Sequence, residues 1–226
     1  TAQAAQELCA HLDCVSVERI EEELAKLLSA PAPAAYLDEK ILGVVLPELS
    51  PEALAAAKPV VDACPAGEQA LLVRLAALLL SLGEDGTRRT LRRLRCSNAC
   101  IEETAVLVRE VVSGVPVSLN IYARRLMGKY NLCTVQRLAA LGTALQPERA
   151  ADFAALSELA EQLDADGVCC RVSQLAVNGR DLMAAGVPAG PGIRKVLEAL
   201  LDGVIREEYP NERQALLAAV QQLAAS

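Results

Sequence analysis

Apolar residues recur at helical spacing along nearly the whole chain. Val17, Ile20, Leu24, Leu27 and Leu28 form one stripe, with Glu21, Glu22 and Glu23 mainly on the other side and Ser16 placed as N-cap. Pro31 and Pro33 break that helix, and Ser50-Pro51-Glu52 opens another with cap, first-turn proline and dipole-facing acid. The pattern predicts an apolar helix over 67–82 that stops at Gly83, then a short basic helix over 87–95 with Leu91 and Leu94 inward. Ser97 or Asn98 caps the next helix, which carries Ile101, Val108 and Val112 and ends at Gly114. Ser118 caps one bearing Leu119, Tyr122, Leu126 and Tyr130. Pro147-Glu148 begins a long helix with Phe153, Leu156, Leu159 and Leu163 that ends at Gly167. Only residues 170–177 suggest an extended piece. Beyond them Asn178 caps a short helix with Asp181 three residues on, Gly186 ends it, and Gly190-Pro191 opens a second. The expected fold is all-α.

Composition supports that reading. The 226 residues are 53% hydrophobic but only 2% aromatic, with no Trp, so Ala and Leu must fill the core, which favours close-packed helices over sheets. The apolar run from Leu71 to Leu80 contains Arg74 and is too short to span a bilayer, so no membrane partner is expected. No signal-peptide pattern is visible, and a cytoplasmic protein is expected. The cysteines are Cys9, Cys14, Cys64, Cys96, Cys100, Cys133, Cys169 and Cys170; none forms a CxxC pair, and His11 is the only histidine. Buried free thiols in a reducing compartment fit this better than disulfides or zinc. Cys96 and Cys100 straddle the cap at Ser97 and need not face one way.

The net charge is −7, but it is unevenly placed. Residues 1–85 carry 5 basic and 14 acidic side chains, residues 86–137 carry 10 and 3, and residues 138–226 carry 7 and 12. A basic block between acidic ones is the footprint of one face that meets phosphate, although a solvated arginine-rich helix gives the same count. Arg88, Arg89, Arg92, Arg93 and Arg95 lie within about two turns, Arg88 sharing a face with Arg92 and Arg89 with Arg93. Such a cluster repels itself unless anions offset it, and RNA phosphates would do so. Arg124, Arg125 and Lys129 form a second cluster, open to RNA contact or to ion pairing with the acidic blocks. Arg180, Arg194 and Lys195 flank the turn near Gly190, where a helix N-terminus suits a phosphate; a packing turn with incidental charges is the other reading.

Three phrases then resemble a known family. Leu175-Ala176-Val177-Asn178-Gly179-Arg180-Asp181-Leu182, followed by Gly186, Gly190-Pro191 and a late Asn211-Glu212-Arg213, is similar to the tail of bacterial class II CCA-adding tRNA nucleotidyltransferases. The segment from Ser16 to Leu28 resembles the neck phrase of that family, and Leu91-Arg92-Arg93-Leu94-Arg95-Cys96-Ser97-Asn98 resembles the opening of a body helix. The matches come in family order. The resemblance implies a neck over 1–35, a helical body over 36–145 and a helical tail over 146–226. It implies tRNA as partner, the basic residues of the three clusters above as RNA contacts, and Glu18 and Arg19 as braces of the neck rather than chemical groups.

The family's catalytic α/β head precedes the neck and carries a Gly-Ser turn, an Asp-x-Asp metal pair and a Glu-Asp-x-x-Arg nucleotide selector. None occurs in residues 1–40. Asp164-Ala165-Asp166 reads as a solvated helix end, and no catalytic or metal-binding residue is assigned. Some relatives carry a His-Asp hydrolase dyad where Leu80 and Ser81 stand here, so hydrolase activity at that place is rejected. The expectation is therefore a neck-body-tail fragment without cofactor of its own, inactive alone, whose missing head would use Mg²⁺ with CTP and ATP. The sequence leaves the oligomeric state open. Rival readings are a helix-hairpin-helix-like DNA-binding module, suggested by residues 187–193, a helical interaction scaffold, and, nearer, the corresponding part of a poly(A) polymerase.

Overall fold

A computed structural model of the chain describes residues 16–66, 70–112 and 119–224. They form α1 (Val17–Ser29), α2 (Glu39–Val45), α3 (Pro51–Ala63), α4 (Leu71–Leu79), α5 (Gly83–Arg93), α6 (Asn98–Val112), α7 (Leu119–Lys129), α8 (Leu132–Leu145), α9 (Ala150–Ala165), α10 (Gly179–Ala184), α11 (Gly192–Ile205) and α12 (Arg213–Ala224), joined by short 3₁₀ turns. Among the described residues there is no strand. The helices fall into two compact units, one drawn from Thr1–Gly114 and Gln136–Ala155, the other from Val115–Val135 and Leu156–Ser226. No described helix is long and apolar enough to cross a membrane.

The first unit is organised around α4. Every residue from Val73 to Leu79 is buried, and α1, α3 and α6 pack against it. Local chemistry sets the starts of these helices: Ser16 Oγ accepts from Arg19 N, Asp38 from Lys40 N and Ile41 N, and Ser50 Oγ from Ala53 N. The basic helix begins earlier than its charge pattern suggested. The apolar helix ends at Leu79, the chain tightens through Leu80–Leu82, and Gly83 opens α5 at φ 64°, a conformation that costs glycine nothing. Glu84 and Asp85 then complement the positive end of the α5 dipole. Leu91 and Leu94 point inward, as their spacing required.

In the same unit Gly142 of α8 lies under the ring of Phe153, and a Cβ at Gly142 would meet ring carbons at 2.2–2.5 Å. Phe153 is buried and cannot swing away. Gly142→Ala is expected to destabilise the protein by about 1–3 kcal/mol through overpacking. Equilibrium unfolding in urea would check this, and an unchanged midpoint would refute it.

In the second unit α10, α11 and α12 enclose a small core of Leu182, Leu200, Val204, Leu216 and Val220. The capping box forms as expected: Asn178 Oδ1 accepts from Arg180 N and Asp181 N, and Asp181 accepts from Asn178 N at 2.9 Å. Residues 170–177 form no strand, although Arg171 and Leu175 have extended backbone. They contain a 3₁₀ turn, Val172–Gln174, because side chains rather than a partner strand satisfy the backbone. Gln174 accepts from Cys170 N and Arg171 N, and Asn211 bridges Ala176 N and Gln174 O. The long helix opens as a 3₁₀ turn at Pro147–Arg149 before α9 proper. The expected start of the apolar helix at 67, the stop at Gly114, the cap at Ser118, the Val112 side chain, and Cys9, His11 and Cys14 lie outside the described residues.

Candidate nucleic-acid interface

The arginine row rides on α5 and the turn after it. Thr87, Thr90 and Leu91 of α5 are buried, which leaves the guanidinium groups on the solvent side. Their environments differ sharply. Arg88 is largely covered and lies between Glu84, at 3.0 Å, and Glu102 of α6; Glu84 also accepts from Arg109 at 2.8 Å. Arg93 forks onto both oxygens of Glu48 at 2.7 and 2.8 Å and donates to Val45 O at 2.9 Å, tying α5 to the end of α2. Arg93 holds the Glu48 carboxyl below its usual range, as Arg88 does for Glu102. Arg95 sits in left-handed backbone at φ 56° and pairs with Glu18. The carboxyl of Glu18 is lowered first by its own backbone N–H and then by Arg95. Arg89 and Arg92 are exposed and make no ion pair among the described residues.

This sorting was not readable from spacing. Three of the five arginines meet carboxylates from other elements, and that offsets the self-repulsion of the row without any ligand. Two remain facing solvent. Of the neck pair, Glu18 joins the row through Arg95, whereas Arg19 lines an apolar cleft with Ile20, Leu24, Ile41 and Leu42.

In the second unit Arg124 is mostly covered and donates to Asn120 at 2.9 Å and Glu207 at 2.5 Å; Arg125 pairs with Asp202 at 2.8 Å. Lys129 is exposed. At the α10–α11 turn Arg194 pairs with Glu198 one turn along its own helix, while Arg180 and Lys195 are exposed. The N-terminus of α11 has no side-chain cap. The two helix starts approach closely, since a Cβ at Gly179 would lie 3.2 Å from Ile193. Spacing gave no role to Asn211, Arg213 or Arg171. Asn211 latches residues 174–176, Arg213 pairs with Asp181 at 2.7 Å, and Arg171 donates to Met127 O and Tyr130 O at the end of α7. The signal for the first two was the late Asn-Glu-Arg phrase itself.

Asp181 is held below its usual value of 3.8, first by Arg213 and then by the Asn178 N–H. A depressed carboxyl contributes stability that is complete above the unfolded value and is lost as pH falls through the folded one. The hairpin is therefore expected to weaken below about pH 4. Acid titration followed by circular dichroism should show a shallower decline for Asp181→Asn than for the wild type, and identical profiles would count against the pairing.

Asp164 and Asp166 are exposed, and among the described residues no group of three or more His, Cys, Asp or Glu is placed to hold a metal ion.

The chain belongs to the family described as tRNA nucleotidyltransferase domain 2, whose model matches residues 70–220. Residues 1–52 match a second model, described as "Probable RNA and SrmB- binding site of polymerase A". Among curated proteins, a CCA-adding enzyme of Geobacillus thermodenitrificans is 28% identical over 214 residues, covering 90% of this chain and 50% of that protein. A CC-adding tRNA nucleotidyltransferase of Shouchella clausii is 41% identical over 61 residues, covering 27% of this chain and 16% of its own. A CCA-adding enzyme of Levilactobacillus brevis is 52% identical over 46 residues, 20% of this chain and 12% of its own. The chain thus spans at most about half the length of these relatives. No solved structure matches it.

Proposed function

We propose that this chain binds tRNA by shape and phosphate contact and orients it for synthesis of the 3′ end by a nucleotidyltransferase head outside this sequence, in the cytoplasm. The exposed Arg89 and Arg92 on α5 carry the reading, because in the most basic stretch of the chain they make no direct ion pair among the described residues, Arg92 acting on Glu102 only through space. Arg180, Lys195 and Lys129 supply further exposed charge in the second unit, with no ion pair among the described residues. The flanking Arg88, Arg93 and Arg95, and likewise Arg124, Arg125 and Arg194, act first as structural ion-pair partners. Structured RNA is recognised largely through backbone geometry, and a helical surface with sparse cations suits that task. The head would bring Mg²⁺, CTP and ATP. Competition of labelled tRNA by unlabelled tRNA and by duplex DNA tests the proposal. Displacement by tRNA alone is expected. Equal displacement by duplex DNA would favour the helix-hairpin-helix reading, and absence of salt-sensitive RNA binding would favour an interaction scaffold.

A further inference from the structure

Arg88 meets more carboxylate than its single charge requires. Its Nη2 donates to Glu84 Oε1 at 3.0 Å, and its Nη1 donates to Glu102 Oε1. The two partners are unlike. Glu84 is the deeper, with its side chain 28% exposed, and Arg109 Nη1 donates to the same oxygen at 2.8 Å. It lies one turn before Arg88, in the first turn of α5, where the helix dipole favours a negative charge. Glu84 therefore holds Arg88 and joins α5 to α6 without help. Glu102, on α6, is the outer partner and is 58% exposed. A carboxylate so exposed adds little to stability through its ion pair. Its surroundings are nevertheless basic. Arg92 follows Arg88 by one turn on α5, and Arg109 follows Glu102 by two turns on α6. Arg88 first, and then Arg92 and Arg109 through space, hold the Glu102 carboxyl below its usual range against desolvation. An exposed carboxylate among three guanidinium groups, dispensable to the one it touches, occupies a place that suits a phosphate, because both anions accept the same N–H donors.

We propose that Glu102 is the exchangeable occupant of an anion site on Arg88, and that a backbone phosphate of tRNA takes its place when the RNA lies along Arg89 and Arg92. This contact rests on the RNA-binding reading of α5 and adds one position to it. Exchange has its own ionic signature. A phosphate that meets a free arginine releases a condensed counterion, so binding weakens as salt rises. A phosphate that displaces Glu102 releases a counterion too, but the freed carboxylate attracts one, and the exchange is nearly neutral to salt. Arg88 is thus hidden from the salt dependence of the wild-type chain while it still contacts the RNA. Glu102 also makes the site selective. It repels an anion that arrives alone, and it yields to a phosphate that the neighbouring arginines already hold close.

Glu102→Gln in the full chain tests the exchange. Gln keeps the side-chain length and Arg88 keeps Glu84, so circular dichroism and the urea midpoint should stay close to wild type. Affinity for tRNA near 0.1 M salt should rise about three- to tenfold, and the slope of log affinity against log salt should steepen by about one, because Arg88 is then uncovered. Adding Arg88→Gln should return the slope to the wild-type value. Asp85→Asn is the control. It removes one negative charge from α5, and Asp85 is exposed with no ion pair among the described residues, so no arginine is released. An unchanged slope in Glu102→Gln, a steeper slope that persists without Arg88, or an equal gain in Asp85→Asn would overturn the exchange and leave the RNA-binding reading of α5 in place. Wild-type protein that binds tRNA without salt dependence, or not at all, would remove both.

Discussion

Reversing the charge of Arg89 and Arg92 together, each to Glu, is expected to weaken tRNA binding by roughly ten- to a hundredfold near 0.1 M salt and to reduce the slope of log affinity against log salt by about two. Both side chains are exposed and unpaired among the described residues, and Glu is a good helix former, so the fold should be unaffected. Arg88→Gln provides the contrast. Arg88 is largely covered between Glu84 and Glu102, so its loss should lower the unfolding midpoint while leaving the salt slope close to wild type. Affinities measured at several salt concentrations, with circular dichroism as fold control, separate the two effects. Parallel salt plots of equal affinity for the double variant and the wild type would sink the RNA-binding role of α5.

The second large effect concerns Arg74, a charged residue in the middle of the most buried helix. Its Nη1 donates to Leu28 O at 2.6 Å and Ala30 O at 2.7 Å, the last carbonyls of α1. A helix C-terminus is a favourable place for a cation, and those carbonyls have no helical donor of their own. Arg74 is only 2% exposed, so water cannot replace it. Arg74→Ala is expected to cost about 3–5 kcal/mol, combining a cavity with two stranded carbonyls. Arg74→Met keeps most of the volume and should still cost about 2–3 kcal/mol, because the stranded carbonyls remain. Denaturant unfolding with an unchanged slope and a lower midpoint would show this. If both variants unfold within about 1 kcal/mol of wild type, the carbonyl contacts are not holding α1.

What the sequence determined by itself was local. Ser16, Ser50 and Asn178 cap the helices their spacing announced, because a capping side chain reaches only the next three backbone N–H groups. Leu91 and Leu94 face inward because apolar periodicity has one solution on a helix packed from one side. Gly186, at φ 96°, ends α10 where a left-handed residue was needed. The family phrases were legible for the same reason: they are contiguous runs of side chains.

Tertiary structure alone decided which of the arginines are free. Arg93 meets a carboxylate 45 positions away, Arg95 one 77 away, and Arg124 one 83 away. No periodicity encodes such distances, so a row of five equal cations in the sequence becomes three structural partners and two exposed charges in the fold. Arg74 reads as a blemish in an apolar run until α1 delivers its carbonyls, and Asn211 reads as loop until residues 174–176 arrive beside it. Residues 170–177 mislead for the complementary reason. Their composition suits a strand, but an extended segment needs a partner ladder, and here side-chain amides satisfy the backbone first.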